Sequence, residues 1–305
     1  RIDHNHFGPR PELGKNGGET IRIGTSNVSL NDSRTVVEFN LFSECDGEAE
    51  IISSKSCENV FRANTFRRCA GALTLRHGHR CTVEGNWFLG EGKRRTGGVR
   101  IIGDDHLVIN NYFENLTGDE ARAAVSVMNG IPDTPLNGYS QVHRAVVAFN
   151  TFVDCKHPLA IGVGASKRVS LPPVDCTIAN NLFAIGDRPL ADEYAAPQNW
   201  TWTGNLRQPA ESIPATMMGV TVIDLRFARG ADGLLRPTAE SPALDAAAGE
   251  FPQVTHDIDG QRRDGRKDSG CDELSEAARI RRPLTQAEIG PSWLTREQEA
   301  KTPRQ

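Results

Sequence analysis

The chain has 305 residues, a net charge of −4 and 24% charged residues, so neither nucleic acid nor an anionic membrane surface is an expected partner. Glycine is frequent (29 residues) while aromatic residues make up only 6%, a balance that suits a turn-rich β-protein better than a helical bundle. No apolar run approaches the roughly 20 residues that a membrane span needs, and the length allows one large domain or two ordinary ones.

The chain begins at Arg1, inside a strand-like pattern, which reads as a fragment or a processed chain. An Asn-x-Phe triplet then recurs at Asn5–Phe7, Asn40–Phe42, Asn64–Phe66, Asn86–Phe88, Asn111–Phe113, Asn150–Phe152 and Asn181–Phe183, with central steps of 24, 22 and 25 residues. Between the triplets lie short β-rich runs that often end in glycine: ETIRIG, AEIISS, LTLRHG, GVRIIG, AVSVMNG and LAIGVG. A second run, such as CTVEGN or HLVINN, precedes each asparagine. A unit of this length made of short strands predicts one coil of a parallel β-helix. Equivalent positions in stacked coils repeat about every 4.8 Å, so the asparagines are expected to form a hydrogen-bonded ladder and the phenylalanines a stack in the core.

Seven cysteines are present, four of them (Cys45, Cys57, Cys69 and Cys81) at intervals of 12. None forms a CxxC pair, which argues against a zinc ribbon. Cys45, Cys69 and Cys155 sit five residues after a repeat asparagine, and Cys81 and Cys176 five before one. They are expected as small apolar rungs of an internal stack, with disulfides between coils the lesser alternative.

The longer gap at residues 114–142, with the turn-rich IPDTPLNG, predicts a loop thrown out of one coil, of the kind that walls a binding groove. After about residue 210 the repeat fades. Residues 1–210 are therefore expected as the β-helix and 211–305 as last coils plus a tail that packs on it and caps the open end, with TREQEAKTPRQ frayed. The DIDGQ stretch invites a calcium-loop reading, but its glycine is fourth and its twelfth residue is Asp268, which argues against an EF-hand.

Counting back from each repeat asparagine, Lys55, Arg76 and Arg100 fall at nearly the same place in three consecutive coils. Such a row of cations is a natural track for a linear polyanion, although any one of them could simply decorate a solvated face. Glu48 and Glu50, two apart, would point to the same side of an extended strand and repel. Either a lysine or arginine between them or a hard divalent cation would relieve this. Carboxylates and an amide oxygen, for which Asn16 is placed one coil earlier, suit Ca²⁺. His77 and His79, two apart, lack a third ligand nearby, which favours a substrate or structural role over a metal pair.

The segments GKNGGETIRIG, GEAEIISSKS, LTLRHG and GGVRIIG resemble the polysaccharide lyase family that contains alginate lyases and chondroitinase B (family 6), and the likeness extends to GPSWL near the end. The resemblance implies an all-β, single-stranded, right-handed parallel β-helix, with several coils preceding the position of residue 1, and a secreted or periplasmic location. It implies that Asn16, Glu48 and Glu50 hold Ca²⁺, that Lys55 is the general base and Arg76 the acid, and that His77 and Arg100 contact substrate. The reaction implied is β-elimination on a uronic-acid polymer. Alginate is the expected substrate, with dermatan or chondroitin sulfate as alternatives in the same class. A non-catalytic polysaccharide-binding β-helix is the alternative in another class. The C5 hydrogen lies beside a carboxylate, and a cation on that carboxylate would stabilise the enolate-like charge. Neighbouring cations would favour the uncharged amine of Lys55. A guanidinium hardly releases a proton, so Arg76 could instead stabilise the leaving oxygen while water delivers the proton.

Overall fold

A computed structural model describes residues 1–210, 216–217, 219–263 and 265–290. Three sheets of eight, ten and seven strands run along these residues, and each strand pairs with its counterpart one coil away. All these pairings are parallel except that of Thr216–Met217 with Val220–Val222. The architecture is a parallel β-helix. No helix among the described residues is long and apolar enough to cross a membrane.

Most strands are only three residues long because a sharp corner follows. The residue before each ladder asparagine adopts left-handed backbone geometry: Phe39 (φ 52°), Ala63 (52°), Gly85 (61°), Asn110 (55°), Phe149 (55°), Asn180 (54°) and Gly204 (63°). This conformation is costly for an L-residue unless the surroundings hold it. The next residue supplies the hold. Each asparagine Nδ2 donates to the Oδ1 of the asparagine one coil on, from Asn5 through Asn40, Asn64, Asn86, Asn111, Asn150 and Asn181 to Asn205, at 2.9–3.0 Å. The same Oδ1 accepts the backbone N–H of the preceding coil's asparagine, as Asn86 does for Asn64 at 3.0 Å. The ladder thus runs one rung past the sequence pattern. Asn205 carries no Asn-x-Phe signature because Arg207 stands opposite Phe183.

Two residues further on, Phe7, Phe42, Phe66, Phe88, Phe113, Phe152 and Phe183 stack with centroids 4.6–4.9 Å apart and planes within 14° of parallel. In-register pairing imposes this spacing, and the rings fill the core at close packing. All seven cysteines are free and buried. Cys45, Cys69, Cys81, Cys155 and Cys176 line the same core as the phenylalanines.

The expected loop at 114–142 is only partly a loop. Val125–Met128 is a regular strand of the seven-stranded sheet, pairing Val99 with Val125 and Val127 with Ile161. The excursion proper is the segment after it, up to Val142. Burial of the Val125 and Val127 side chains keeps the strand in register, while the proline- and glycine-containing stretch beyond cannot continue a ladder.

Past Leu225 the chain returns along the flank of the solenoid, over the left-handed corners. Ser269 Oγ donates to the Gly204 carbonyl (3.4 Å), Ala248 N–H to Asn180 Oδ1 (2.8 Å), and Arg263 Nη2 to Asn110 Oδ1 (3.0 Å). Further back, Leu284 N–H reaches Thr65 Oγ1 (2.8 Å) and Gly290 N–H reaches the His4 carbonyl (2.7 Å). The described tail is therefore a strap running from the last coils to the first. Most of GPSWL and all of TREQEAKTPRQ lie outside the described residues.

Candidate active site

The seven-stranded sheet holds the two longest strands, Glu50–Lys55 and Ala72–His77. Ile52, Leu73, Leu75, Val99 and Ile101 point into the core, so the alternate positions face outward. In register, Ser53, Thr74 and Arg100 form one outward row. Lys55 pairs with His77 across a register shift that leaves Arg76 between pairings. The three cations consequently lie on a diagonal, with Arg100 two residues back from Arg76. The expected straight row missed this because loop-length counting does not see bulges.

Glu50 joins that diagonal. Its Oε1 lies 3.7 Å from Arg76 Nε and 3.6 Å from Arg100 Nη1. Glu48 does not share a strand with Glu50, since the strand begins at Glu50. It sits in a bend where Gly47 meets Gly18, so closely that a Cβ on either would collide with the other's carbonyl oxygen. That contact brings the Asn16–Gly17 turn against Glu48, and Gly17 N–H donates to Glu48 Oε2 at 3.2 Å.

A third carboxylate, absent from the sequence-based expectation, stands beside Glu48. Burial, together with the charges of Glu19 and Glu50, pushes the Glu48 carboxyl above its ordinary range. Glu19 pairs through Oε1 with Arg22, while its Oε2 is buried without a hydrogen-bond partner. A crowded set of carboxylates with one orphaned oxygen and an amide-bearing turn alongside fits a hard cation. The arrangement therefore satisfies both remedies raised by the sequence. Arginines neutralise Glu50 and pair with one oxygen of Glu19, while Glu48 has no ion pair among the described residues.

Arg76 donates from Nη1 to the Gly138 carbonyl (3.0 Å) and to His77 Nδ1 (3.3 Å), and from Nη2 to the Asn137 carbonyl (3.3 Å). Its guanidinium lies 4.3 Å from the centre of the Tyr139 ring. Arg100 Nη2 donates to Tyr139 Oη at 3.1 Å, and its Nε is buried without a partner. The loop after Met128 thus walls the site, as the sequence suggested. Tyr139 escaped the sequence reading because a lone tyrosine in a turn-rich insertion gives no signal of what it will cover.

Burial, with Arg76 and Lys55 as neighbours, drives the His77 imidazole down to about 4. It is neutral at ordinary pH. Arg76 can only donate, so His77 Nδ1 accepts and Nε2 carries the hydrogen, directed at Ser26 Oγ 3.2 Å away. His79 is engaged elsewhere, its Nδ1 accepting from Asp104 N–H at 3.0 Å. Lys55 Nζ has no hydrogen bond or ion pair among the described residues. At the Glu48 end the face opens into a cavity of about 740 Å³ lined by Lys15, Asn16, Glu48, Arg94, Arg95 and Arg122.

A second acidic group lies in the strap, where Asp257, Asp259 and Asp272 converge within 4.8 Å. By spacing they could hold a metal, but guanidinium groups already stand among them. Arg236 Nη1 is 2.9 Å from Asp259 and 2.6 Å from Asp272, and Arg279 Nε is 2.9 Å from Asp259. Burial still lifts Asp272 to about 7. The DIDGQ stretch thus serves an ion-paired network that anchors the strap.

Residues 1–185 match the profile of the chondroitinase B family. Among solved structures, the PL6 family alginate lyase AlyGC is 42% identical (TM-score 0.75), covering 79% of this chain and 33% of its own. A mannuronic acid specific polysaccharide family 6 lyase from human gut microbiota is 34% identical (TM-score 0.63), over 73% of this chain and 52% of its own. Alginate lyase AlyF-OU02, in complex with G6, is 26% identical (TM-score 0.66), over 79% of this chain and 57% of its own. The chain thus spans between a third and three-fifths of these structures. No curated protein matches it.

Proposed function

Because the chain belongs to the chondroitinase B family, whose structural relatives include PL6 alginate lyases, we propose that it is a calcium-dependent lyase cleaving a uronic-acid polymer, alginate first among them, by β-elimination. In this reading residues 1–210 carry the catalysis and residues 211–305 strap the solenoid. A polymeric substrate implies a secreted or periplasmic location.

One observation carries the reading. Lys55, unpartnered among the described residues, stands one strand from Arg76 and two from Arg100, at one end of a face whose other end is a carboxylate cluster needing a cation. Asn16, Glu48 and Glu50 are the proposed holders of Ca²⁺, with Glu19 adjoining. When bound, the ion would supply Lewis-acid polarisation of the uronate carboxylate.

The protein's own groups do the rest. Lys55 Nζ, which has no hydrogen bond or ion pair among the described residues, takes the C5 proton. Arg100, with a buried and unpartnered Nε, and Arg76 present positive charge to the anionic sugar. His77 is a neutral spacer between two cations. It fixes Arg76 through Nδ1 and does not itself titrate near neutrality.

The test is to incubate the folded protein with alginate and with dermatan sulfate, with and without a chelator, and follow ultraviolet absorbance of the new C4–C5 double bond. Chelator-sensitive absorbance on alginate is the expected result. Signal on dermatan sulfate alone would move the substrate. Binding of either polymer without any double bond formed would make the protein a non-catalytic module.

A further inference from the structure

Resting on the lyase reading for its ligand, we propose that a hollow between the strap and the corners at Phe39 and Ala63 is a second, non-catalytic site for one uronate residue of the polymer. Phe39, Ala63 and Gly85 are successive left-handed corner residues, and their side chains shrink from a ring to a methyl to a hydrogen. At later corners the strap closes on the solenoid through Asn110 and Asn180. Over the earlier ones it stands off and leaves a cavity of about 510 Å³, lined by Phe39, Ala63, Trp87, Ile280, Arg281 and Leu284 among others. That volume suits a small-molecule site. Phe39 joins a strand of the eight-stranded sheet to one of the ten-stranded sheet, so the hollow lies away from the seven-stranded sheet of the candidate active site.

The charged groups around the cavity are already paired, with one exception. Asp232 Oδ2 accepts Arg236 Nη2 at 2.6 Å, Arg279 Nε lies 2.9 Å from Asp259 Oδ2, and Glu288 Oε1 accepts Arg282 Nε at 2.9 Å. The exception is the lining residue Arg281, whose guanidinium has no hydrogen bond or ion pair among the described residues. It rests over Gly85, its Nη1 3.9 Å from where a Cβ would stand, in room that the absent side chain leaves. The backbone beneath it is fixed, because the N–H groups of Ile280 and Arg281 both donate to the Asp259 carbonyl, at 3.0 and 2.9 Å. A guanidinium presented from a fixed backbone is a ready receptor for a carboxylate.

The floor supplies an independent observation. Trp87 is wholly buried, and its Nε1–H meets no acceptor among the described residues. An indole nitrogen can only donate, and buried donors are nearly always met, so an acceptor is wanting here. Phe39 stacks on His4 (centroids 5.3 Å apart, planes 18° from parallel) and still borders the cavity, with Leu284 and the exposed Ile280 adding apolar surface. A uronate matches this set. The C–H face of its pyranose ring is apolar, its hydroxyl oxygens accept, and its carboxylate complements Arg281. A small inorganic anion would use the guanidinium and leave the apolar walls bare. A polymer held at a second place also stays longer at the first, because rebinding becomes intramolecular.

The test is a titration of Lys55→Ala, which removes the proposed base, with a uronate trisaccharide, followed by the indole N–H resonances. The Trp87 signal is assigned by its loss in Trp87→Phe. It should move downfield and saturate as the indole gains an acceptor. With Arg281→Ala added, saturation should need at least about tenfold more trisaccharide, the weight of one charge-assisted hydrogen bond. Arg281→Lys, which keeps the charge, should fall between the two. The remaining indole resonances, in unchanged positions, show that each variant is folded. Inorganic phosphate should leave the Trp87 signal in place. A Trp87 signal that does not move, a titration unaltered by Arg281→Ala, or an equal shift with phosphate overturns the site. Any of these in a protein whose wild type forms the double bond on alginate leaves the lyase reading intact. A wild type that forms none ends that reading, and the titration, which needs no turnover, then decides the site by itself.

Discussion

Glu50 and Arg76 form a partly buried ion pair, Oε1 to Nε 3.7 Å, so a carboxylate proposed to hold the metal also steadies an arginine proposed to meet the substrate. The pair couples the two halves of the site. Glu50→Gln should lose at least about 100-fold in activity and should also blunt thermal stabilisation by Ca²⁺. A ligand at 100 times its Kd stabilises a protein by about 2.7 kcal/mol, which a melting curve resolves. Thermal shifts of wild type, Glu48→Gln and Glu50→Gln across a calcium titration check this. An undiminished shift in both variants would place the cation elsewhere.

His77 and His106 should make the fold sensitive to acid. His106 is wholly buried, and burial drives it down to about 4. Its Nε2 lies 3.0 Å from the Ile102 carbonyl, and its Nδ1 accepts Cys81 N–H at 3.1 Å. For a histidine with a lowered folded value, the unfolded chain binds more protons between about 6.5 and 4, so stability falls as pH drops through that window. For His106 the loss should reach about 3 kcal/mol at one pKa unit per 1.36 kcal/mol. Urea unfolding of wild type and His106→Gln at pH 7 and pH 5 measures it, and the variant should show a smaller pH dependence.

The ladder should be most sensitive in its middle. Asn86 accepts two donors from Asn64 and itself donates to Asn111 and to the Phe61 carbonyl, all at 2.9–3.0 Å. Asn86→Ala should destabilise by about 2–4 kcal/mol, because buried donors on both sides are left unmet. Asn5→Ala, at the partly exposed first rung, should cost less than about 1 kcal/mol. Denaturant midpoints of the two variants give the comparison.

The cysteines should be inert in the folded state. Burial raises the thiols of Cys81 to about 11 and of Cys155, Cys176 and Cys271 to about 12, and holds Cys69 well above its ordinary range. Only Cys45 moves down, chiefly through its hydrogen bond with Cys69. Alkylation followed by mass spectrometry should find these five unlabelled without denaturant and all seven labelled in urea, with Cys45 first to react at intermediate concentrations.

How much of this was legible beforehand depends on range along the chain. Asn-x-Phe at steps of 22–25 residues determined the β-helix, its ladder and its ring stack, because each coil repeats the same local problem and in-register pairing solves it the same way. The same periodicity placed Lys55, Arg76 and Arg100 in neighbouring coils. It could not give the bulges that turned their row into a diagonal, nor the Gly18–Gly47 contact that takes Glu48 off the strand and beside Glu19. Those are decided by steric fit between coils, which leaves no periodic trace.

Tyr139 over Arg76 and the strap over the corners lie further still from local pattern. They join residues 63 and 153 positions apart, through side-chain contacts whose partners exist only once the coils are stacked. The sequence by itself determined the scaffold and the chemical types on its working face. Tertiary structure alone decided which of those groups touch, because side chains from different coils meet only once the solenoid has wound.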